Sequence, residues 1–259
     1  MMTDDVVLES IADGVLQIRL NRPERMNALG FEMSQRLYRA LEKAIGEKAR
    51  ALLVRGTGRA FCAGADLKER RGMHAEQRAA HNAAINVFVQ ALAHAPMPTI
   101  AVINGAALGG GCELALVCDM RLAASDATIG LTETRVGAIP GAGATQRLPR
   151  YISCAIALEL MMTGEPIGAA RAAEIGLVNA VVPVEDLDAK ALALATTLAA
   201  RSAAGLREIK RLVYDGFDLP LAQGLQRERE GLLRILDSTD YAEGLVAFAE
   251  RRPPRFNAS

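Results

Sequence analysis

Three short stretches carry the residue types that could do chemistry. The first spans residues 101–120, AVINGAALGGGCELALVCDM, where an apolar run breaks at Asn104–Gly105 and Gly109 to Gly111 open a helix with Glu113 in its first turn. Successive glycines let a ligand approach the backbone closely. The first N–H groups of a helix have no intrahelical acceptor and sit at the positive end of its dipole. A developing negative charge suits that place. Glu113 cannot share in binding that charge, so its natural work is as a base or an acid. The expected arrangement is an oxyanion site with an adjacent acid/base, and it needs a second donor and a second acid from elsewhere in the chain. Ala63-Gly64-Ala65-Asp66, small residues ahead of a helix cap, can present a backbone N–H. Glu133, between two threonines and ahead of Gly137, Pro140, Gly141 and Gly143, offers a second carboxyl.

Each stretch also has a plainer reading: glycines that allow close packing, a tight turn, a solvated loop glutamate. Residue types alone leave those readings open. Other chemistries are poorly supplied. No Gly-Lys-Ser/Thr follows either glycine stretch, so neither is a P-loop, and neither fits a dinucleotide fingerprint. No histidine lies in a motif that would position it for a Ser–His–Asp triad.

The elements that must hold these residues are those of one large domain, at 259 residues with 51% hydrophobic and 23% charged side chains. Formal net charge is zero, which argues against a global field for nucleic acid or acidic lipid, and the absence of Trp argues against base-stacking platforms. The N-terminus MMTDDVVLES is acidic without a signal-like apolar run, and no run approaches the ~20 residues of a membrane helix, so the expected address is the cytoplasm. Cys62, Cys112, Cys118 and Cys154 make no C-x-x-C and no metal-binding pattern with His74, His81 and His94. Cys112 and Cys118 are expected to be reduced and buried, and the three histidines to be solvated.

Alternation predicts a hairpin from residues 6–9 and 15–20 around Asp13–Gly14. A helix is expected over 31–45, with Met33, Leu37, Leu41 and Ile45 on its inner face. Strands follow at 51–54, 99–103, 121–124, 128–130 and 178–182. A short helix capped by Asp66 runs to Arg71 and a longer one covers 76–94, while 131–150 reads as a Gly/Pro-punctuated loop. Beyond it come helices at 152–162, 169–175, 185–198, 204–214, 221–236 and 241–250, then a basic tail, RRPPRFNAS, loose at its end. Strands alternating with helices favour a parallel, helix-covered sheet system. No fixed-period repeat and no separating linker are visible.

Taken in order and spacing, AFCAGADLKER, NGAALGGGCELALVCD and LTETRVGAIPGAGATQRLPR resemble the crotonase (enoyl-CoA hydratase) superfamily. The likeness runs from the N-terminal hairpin to the RRPPRF tail. LKER, the TET around Glu133 and RPPRF are most similar to the 3-methylglutaconyl-CoA hydratase branch and its bacterial enoyl-CoA hydratase relatives. The resemblance implies an α/β fold, a spiral of strand–strand–helix repeats over residues 1–195, with a C-terminal helical trimerisation region over 196–259. Two such trimers stack into a hexamer in many relatives.

The resemblance further implies an oxyanion hole from the N–H groups of Ala65 and Gly110, which would bind the thioester oxygen of an acyl-CoA as it becomes enolate-like. Both hydratase glutamates are matched. By analogy Glu113 is the base that takes a proton from water as it attacks C3, and Glu133 the acid that protonates C2. Coenzyme A, part of the substrate rather than a cofactor, would lie along Arg25, Met26 and Ala28. It would also lie along Ala63, Gly64, Ala65, Asp66, Leu67 and Lys68, with Phe248 and Arg251 reaching a neighbouring subunit's CoA. Arg251 stands where a Lys is common. Ala144 stands where the loop carries another Gly, adding a methyl near Glu133. The acyl pocket wall is expected from residues 70–88.

The implied function is hydration of a 2-trans-enoyl-CoA by a homo-oligomeric enzyme, with 3-methylglutaconyl-CoA hydratase as the alternative. Two readings of another class are AU-rich RNA binding through the helix near residues 31–50, and a non-catalytic trimeric scaffold. Mixed charges on that helix (Arg36, Arg39, Lys43, Lys48 and Arg50 with Glu32, Glu42 and Glu47) oppose the first, and retention of both glutamates opposes the second.

Overall fold

The computed structural model describes residues 5–256. The hairpin forms as expected, β1 (Val6–Ala12) antiparallel to β2 (Val15–Leu20), and β1 outruns its predicted end through an irregularity between Ser10 and Ala12. From there the chain winds between two sheets. β3 (Ala51–Gly56), β5 (Thr99–Ile103) and β7 (Met120–Ala124) join a six-stranded sheet of order β1-β2-β3-β5-β7-β10. Its edge strand β10 is Ala180–Val182, and every pairing beyond the hairpin is parallel. Each of these strands is followed at once by a short one: β4 (Ala60–Cys62), β6 (Ala106–Leu108) and β8 (Thr128–Gly130). With β9 (Ile167–Gly168) they form a second sheet, β4-β6-β8-β9. A helical return closes each turn, so the path is strand–strand–helix, repeated.

The returns differ in length, which is why no period shows in the sequence. After β4 come α2 (Leu67–Arg70) and the 19-residue α3 (Ala75–Ala93), whereas β6 is followed only by the 8-residue α4 (Gly110–Val117). α1 itself (Phe31–Gly46) links the hairpin to β3 and buries Met33, Leu37, Leu41 and Ala44. Ile45, expected inside, is 39% exposed, because the inner stripe of a 3.6-residue helix drifts back to Ala44. The basic side chains of α1 are partly paired within the helix: Arg36 bonds Glu32 at 2.7 Å and Lys43 lies 3.7 Å from Glu47. β3 and β5 are apolar on both faces, as parallel strands covered by helices must be.

Three further expectations need correction. Residues 131–150 are not all loop: a 3-10 turn (Glu133–Val136) is followed by α5 (Ala144–Tyr151), whose Pro149 lies near its C-terminal end and hid it in the sequence. The helix expected over 152–162 begins later, as α6 (Cys154–Thr163), because Ile152 is extended and Ser153 caps the new helix through Ile156 N. His81 is buried, 1% exposed, rather than solvated. The thiols of Cys62, Cys112 and Cys118 are buried and free, and burial raises each above its ordinary value.

The chain closes with α7 (Ala169–Glu174), α8 (Leu187–Ala199), α9 (Ala203–Gly216), α10 (Leu221–Leu236) and α11 (Thr239–Glu250). α8 packs on the core through Leu187, Ala191, Ala195 and Ala199. The last three helices do not share that habit: α9 buries no residue and α10 only Gly231. The looseness expected at the very end of the tail concerns positions outside the described residues.

Candidate active site

The junctions β4–α2 and β6–α4 lie side by side, and both glycine-containing stretches meet there. A Cβ added at Gly64 would stand 2.9 Å from Gly110 N, and one added at Gly110 would stand 3.5 Å from Ala65 N. The N–H groups of Ala65 and Gly110 donate to no backbone acceptor outside the regular elements among the described residues. Two free donors therefore face the same small volume. The three successive glycines do three different things. Gly109 turns the chain at φ +52° and ψ −124°, a conformation L side chains rarely adopt. Gly110 keeps the space before Ala65 N open. Gly111 lets α4 lie against β4, since a Cβ there would be 2.0 Å from the Cys62 carbonyl oxygen.

Residues 26–29 brace the first junction. Met26 O accepts from Ala63 N (3.0 Å), Leu29 N donates to Gly64 O (2.7 Å), and Asp66 N donates to Leu29 O (3.0 Å). Buried Asn27, which the sequence reading passed over, ties this turn to β4 by donating to Ala60 O at 2.8 Å and Thr57 O at 2.9 Å. Of the residues expected to touch CoA, Arg25, Met26 and Ala28 thus run beside Ala63 to Lys68. The Asp66 carboxylate is already engaged. Its Oδ1 caps α2 by accepting from Lys68 N and Glu69 N (both 3.1 Å), and its Oδ2 meets Arg22 at 3.3 Å. Leu67 and Lys68 are exposed beside it. Phe248 and Arg251 are not brought to this place: both are exposed at the end of α11, Phe248 to 85%.

A cavity of about 120 Å³ opens in front of the two donors. Its walls include Ala65, Gly110, Glu113 and Glu133, apolar side chains of Leu67, Ile85, Val136 and Ile139, and the polar Arg70 and Asn82. The wall expected from residues 70–88 is therefore supplied at Arg70, Asn82 and Ile85. The contribution of residues 136–142 escaped the sequence reading, because exposed Val136 and Ile139 in a Gly/Pro loop carry no periodicity.

The two carboxyls sit in unlike surroundings. Glu113, 3% exposed, accepts at Oε1 from Ala142 N (2.7 Å) and Ala144 N (3.1 Å), at the start of α5. Burial raises its pKa, while these N–H groups and the charge of Arg147 pull it back toward the ionised form. Ala144 thus meets Glu113 through its backbone, whereas the sequence had set its methyl near Glu133. Glu133, held in the 3-10 turn with Oε1 facing Gly109, keeps a buried Oε2 with no hydrogen-bond partner. Burial, together with the neighbouring Glu113 charge, pushes its carboxyl up to about 7. Both carboxyls are thus raised by burial, but only Glu113 has N–H groups from a neighbouring segment and a cation opposing that rise.

The family model described as enoyl-CoA hydratase/isomerase matches residues 10–259. The crystal structure of an enoyl-CoA hydratase from Bacillus anthracis superposes with a TM-score of 0.95 and 42% identity, covering 99% of this chain and 100% of that one. The mouse mitochondrial enoyl-CoA hydratase domain-containing protein 2 is 41% identical over 94% of this chain and 84% of its own length. The rat mitochondrial methylglutaconyl-CoA hydratase is 39% identical over 96% of this chain and 81% of its own. The chain belongs to the enoyl-CoA hydratase/isomerase family, within the crotonase superfamily, and has the spiral α/β fold that the motifs implied. Among the described residues, no helix is long and apolar enough to cross a membrane.

Proposed function

We propose that the protein is an enoyl-CoA hydratase that adds water to the double bond of a 2-trans-enoyl-CoA thioester, giving a 3-hydroxyacyl-CoA. The observation that carries this reading is the pair of unlike carboxyls in one cavity, beside two free backbone donors. The thioester oxygen binds the N–H groups of Ala65 and Gly110, which hold the negative charge that collects there as C3 is attacked; one such donor is worth roughly 3 kcal/mol in the transition state. Ionised Glu113 takes a proton from the attacking water, whose oxygen bonds to C3. Glu133 gives its proton to C2, and proton exchange with solvent resets the pair. No cofactor beyond the CoA of the substrate enters these steps.

The assembly belongs to the same proposal. Residues 196–259 are read as a trimerisation region, two trimers able to stack, with Phe248 and Arg251 completing a neighbour's CoA site. The exposed apolar side chains Ile209, Val213, Phe217, Leu232, Leu233 and Leu245 on α9 to α11 support that reading.

The test is hydration of crotonyl-CoA, followed by loss of enoyl-thioester absorbance in the wild type and in Glu113→Gln and Glu133→Gln. Turnover by the wild type with a large loss in both variants is expected. Full activity in either variant overturns the two-carboxyl mechanism, and no turnover by the wild type on any enoyl-CoA overturns the function.

A further inference from the structure

Glu113 is held by an arch of backbone, and the arch is itself held from behind. Residues 141–144 lead into α5, with Gly143 at φ +108°. Two of their N–H groups, those of Ala142 and Ala144, converge on Glu113 Oε1. The carbonyls of the same residues are taken up by other partners. Gly141 O accepts from Asn86 Nδ2 at 2.9 Å, and Ala142 O accepts from Arg147 Nη1 at 3.1 Å. Gly143 O accepts from Gln146 N at 3.1 Å and Arg147 N at 2.9 Å. The guanidinium of Arg147 lies against Gly143, where a Cβ would overlap Nη1. Its Nη2 donates to Gln90 Oε1 at 3.1 Å, which ties it to α3.

The sequence of α3 suits this contact. Asn82, Asn86 and Gln90 recur at a spacing of four and so share one face of the helix. Asn86 Nδ2 also donates to Asn82 O at 3.0 Å, and the Asn82 carboxamide stands against Gly141. Three amides along one stripe serve apolar packing poorly and grip a backbone well. One peptide group is engaged at both ends: its Gly141 carbonyl accepts from Asn86, and its Ala142 N–H donates to Glu113 at 2.7 Å. Hydrogen bonds joined in this way polarise one another.

Arg147 brings a charge as well as a hydrogen bond. Its side chain donates to two neutral acceptors, Ala142 O and Gln90 Oε1, and its charge favours ionised Glu113 from across the arch. The other charged groups nearby are Glu133 of the 3-10 turn and, in the cavity wall, Arg70 of α2, which His81 and Glu69 adjoin. Cys62 of β4 and Cys112 of α4 are thiols that burial keeps protonated. Arg150, the other cation of α5, is paired with Asp218.

We propose that Arg147, seated by Gln90, acts with Asn86 as an outer latch on residues 141–144, and that this latch fixes where Glu113 Oε1 meets the attacking water. Both are positioning residues, since neither touches the reacting atoms. The naming of Glu113 as the base rests on the function proposed above; the latch itself does not.

The first measurement is therefore independent of turnover. The carboxyl stretching band of protonated Glu113 is followed by infrared difference spectroscopy against pH, in a Glu133→Gln background so that the two acids do not titrate together. The band is assigned by its loss on adding Glu113→Gln. Loosening the N–H groups and removing the cation both favour the protonated form. Arg147→Met is thus expected to raise the midpoint by about one pH unit, Asn86→Leu by less, and Arg147→Lys to return it most of the way. The second measurement is crotonyl-CoA hydration with Glu133 intact. Arg147→Met should lower kcat roughly 10- to 100-fold with KM within about twofold, and the acidic limb of kcat/KM should move to higher pH, since the base must then be deprotonated against a raised midpoint. Where Arg147→Met does not fold, Asn86→Leu carries the same readouts.

An unmoved midpoint in a folded Arg147→Met or Asn86→Leu protein overturns the proposal. So does Arg147→Lys behaving as badly as Arg147→Met, which would leave the guanidinium a packing role only. A moved midpoint in a protein whose wild type hydrates no enoyl-CoA would keep the latch and remove the hydratase reading.

Discussion

The spiral core and the C-terminal helices solve the same problem in opposite ways. In the core, α4 buries Gly111 through Val117, seven of its eight residues, against the chain's own sheets. α9, longer at 14 residues, buries none, and α11 buries only Asp240 and Ala247 of 12. The core finds its apolar partners within one chain and leaves the candidate-site cavity beside the β4–α2 and β6–α4 junctions. The C-terminal helices keep Leu232, Leu233 and Leu245 about half or more exposed, the apolar face on which the proposed trimer contact rests. The lesson is a division: the candidate site lies where packing is complete, and apolar side chains stay uncovered where it is not.

Substitutions can break that division. The largest effect is expected from the core carboxyls: Glu113→Gln and Glu133→Gln should each lower kcat by roughly 10²–10⁴, with molecular mass by light scattering unchanged. Next come two adjacent glycines. Gly111→Ala drives a methyl into the Cys62 carbonyl, and should lower the melting temperature by many degrees or prevent folding. Gly110→Ala has ordinary van der Waals room, so it should melt within a few degrees of the wild type, yet lose activity by roughly 10²-fold because its methyl occupies the space before Ala65 N. Equal melting losses in the two variants would show that Gly110 serves packing rather than binding.

On the other side of the division, Leu232→Glu with Leu233→Glu should shift the mass distribution toward monomer at unchanged far-UV circular dichroism. An unaltered mass would mean that this face is not the one covered. The smallest effect concerns pH. Because the Glu133 carboxyl is raised from an ordinary 4.5 to about 7, its contribution to stability is fully present below the lower value and is lost as pH rises through the upper one. Glu133→Gln should therefore gain melting temperature relative to the wild type between pH 5 and 8, and the wild-type kcat/KM should fall as pH rises through about 7, where the acid loses its proton.

Much of the frame was legible in the sequence, because long strands and amphipathic helices announce themselves by period: β2, α1 and α10 lie where alternation and spacing put them. β4, β6 and β9, at two or three residues, are too short to have a period, and they are three of the four strands of the second sheet, of which only β8 was read from the sequence. α5 was hidden by Pro149 and the surrounding glycines. For the site, residue types singled out Glu113, Glu133 and both glycine stretches, since each departs from what packing alone requires. They could not show that Glu113 rests on the start of α5 or that Oε2 of Glu133 is left bare, because both facts depend on a loop with no periodicity. His81 was misjudged for a related reason: a histidine is read as polar, and nothing in the sequence shows that Arg70 Nε donates to its Nδ1.

The triplet Gly109–Gly111 has one more consequence. Conformation, access and packing each claim one of its three positions, so none can be exchanged to suit a new substrate without damaging the neighbouring task. The donors it offers belong to the main chain and are indifferent to side-chain substitution. On the function proposed above, divergence toward other acyl groups would run through the opposite wall, the segment from Arg70 to Ile85 and the loop at residues 136–142, while the main-chain grip on the carbonyl is kept.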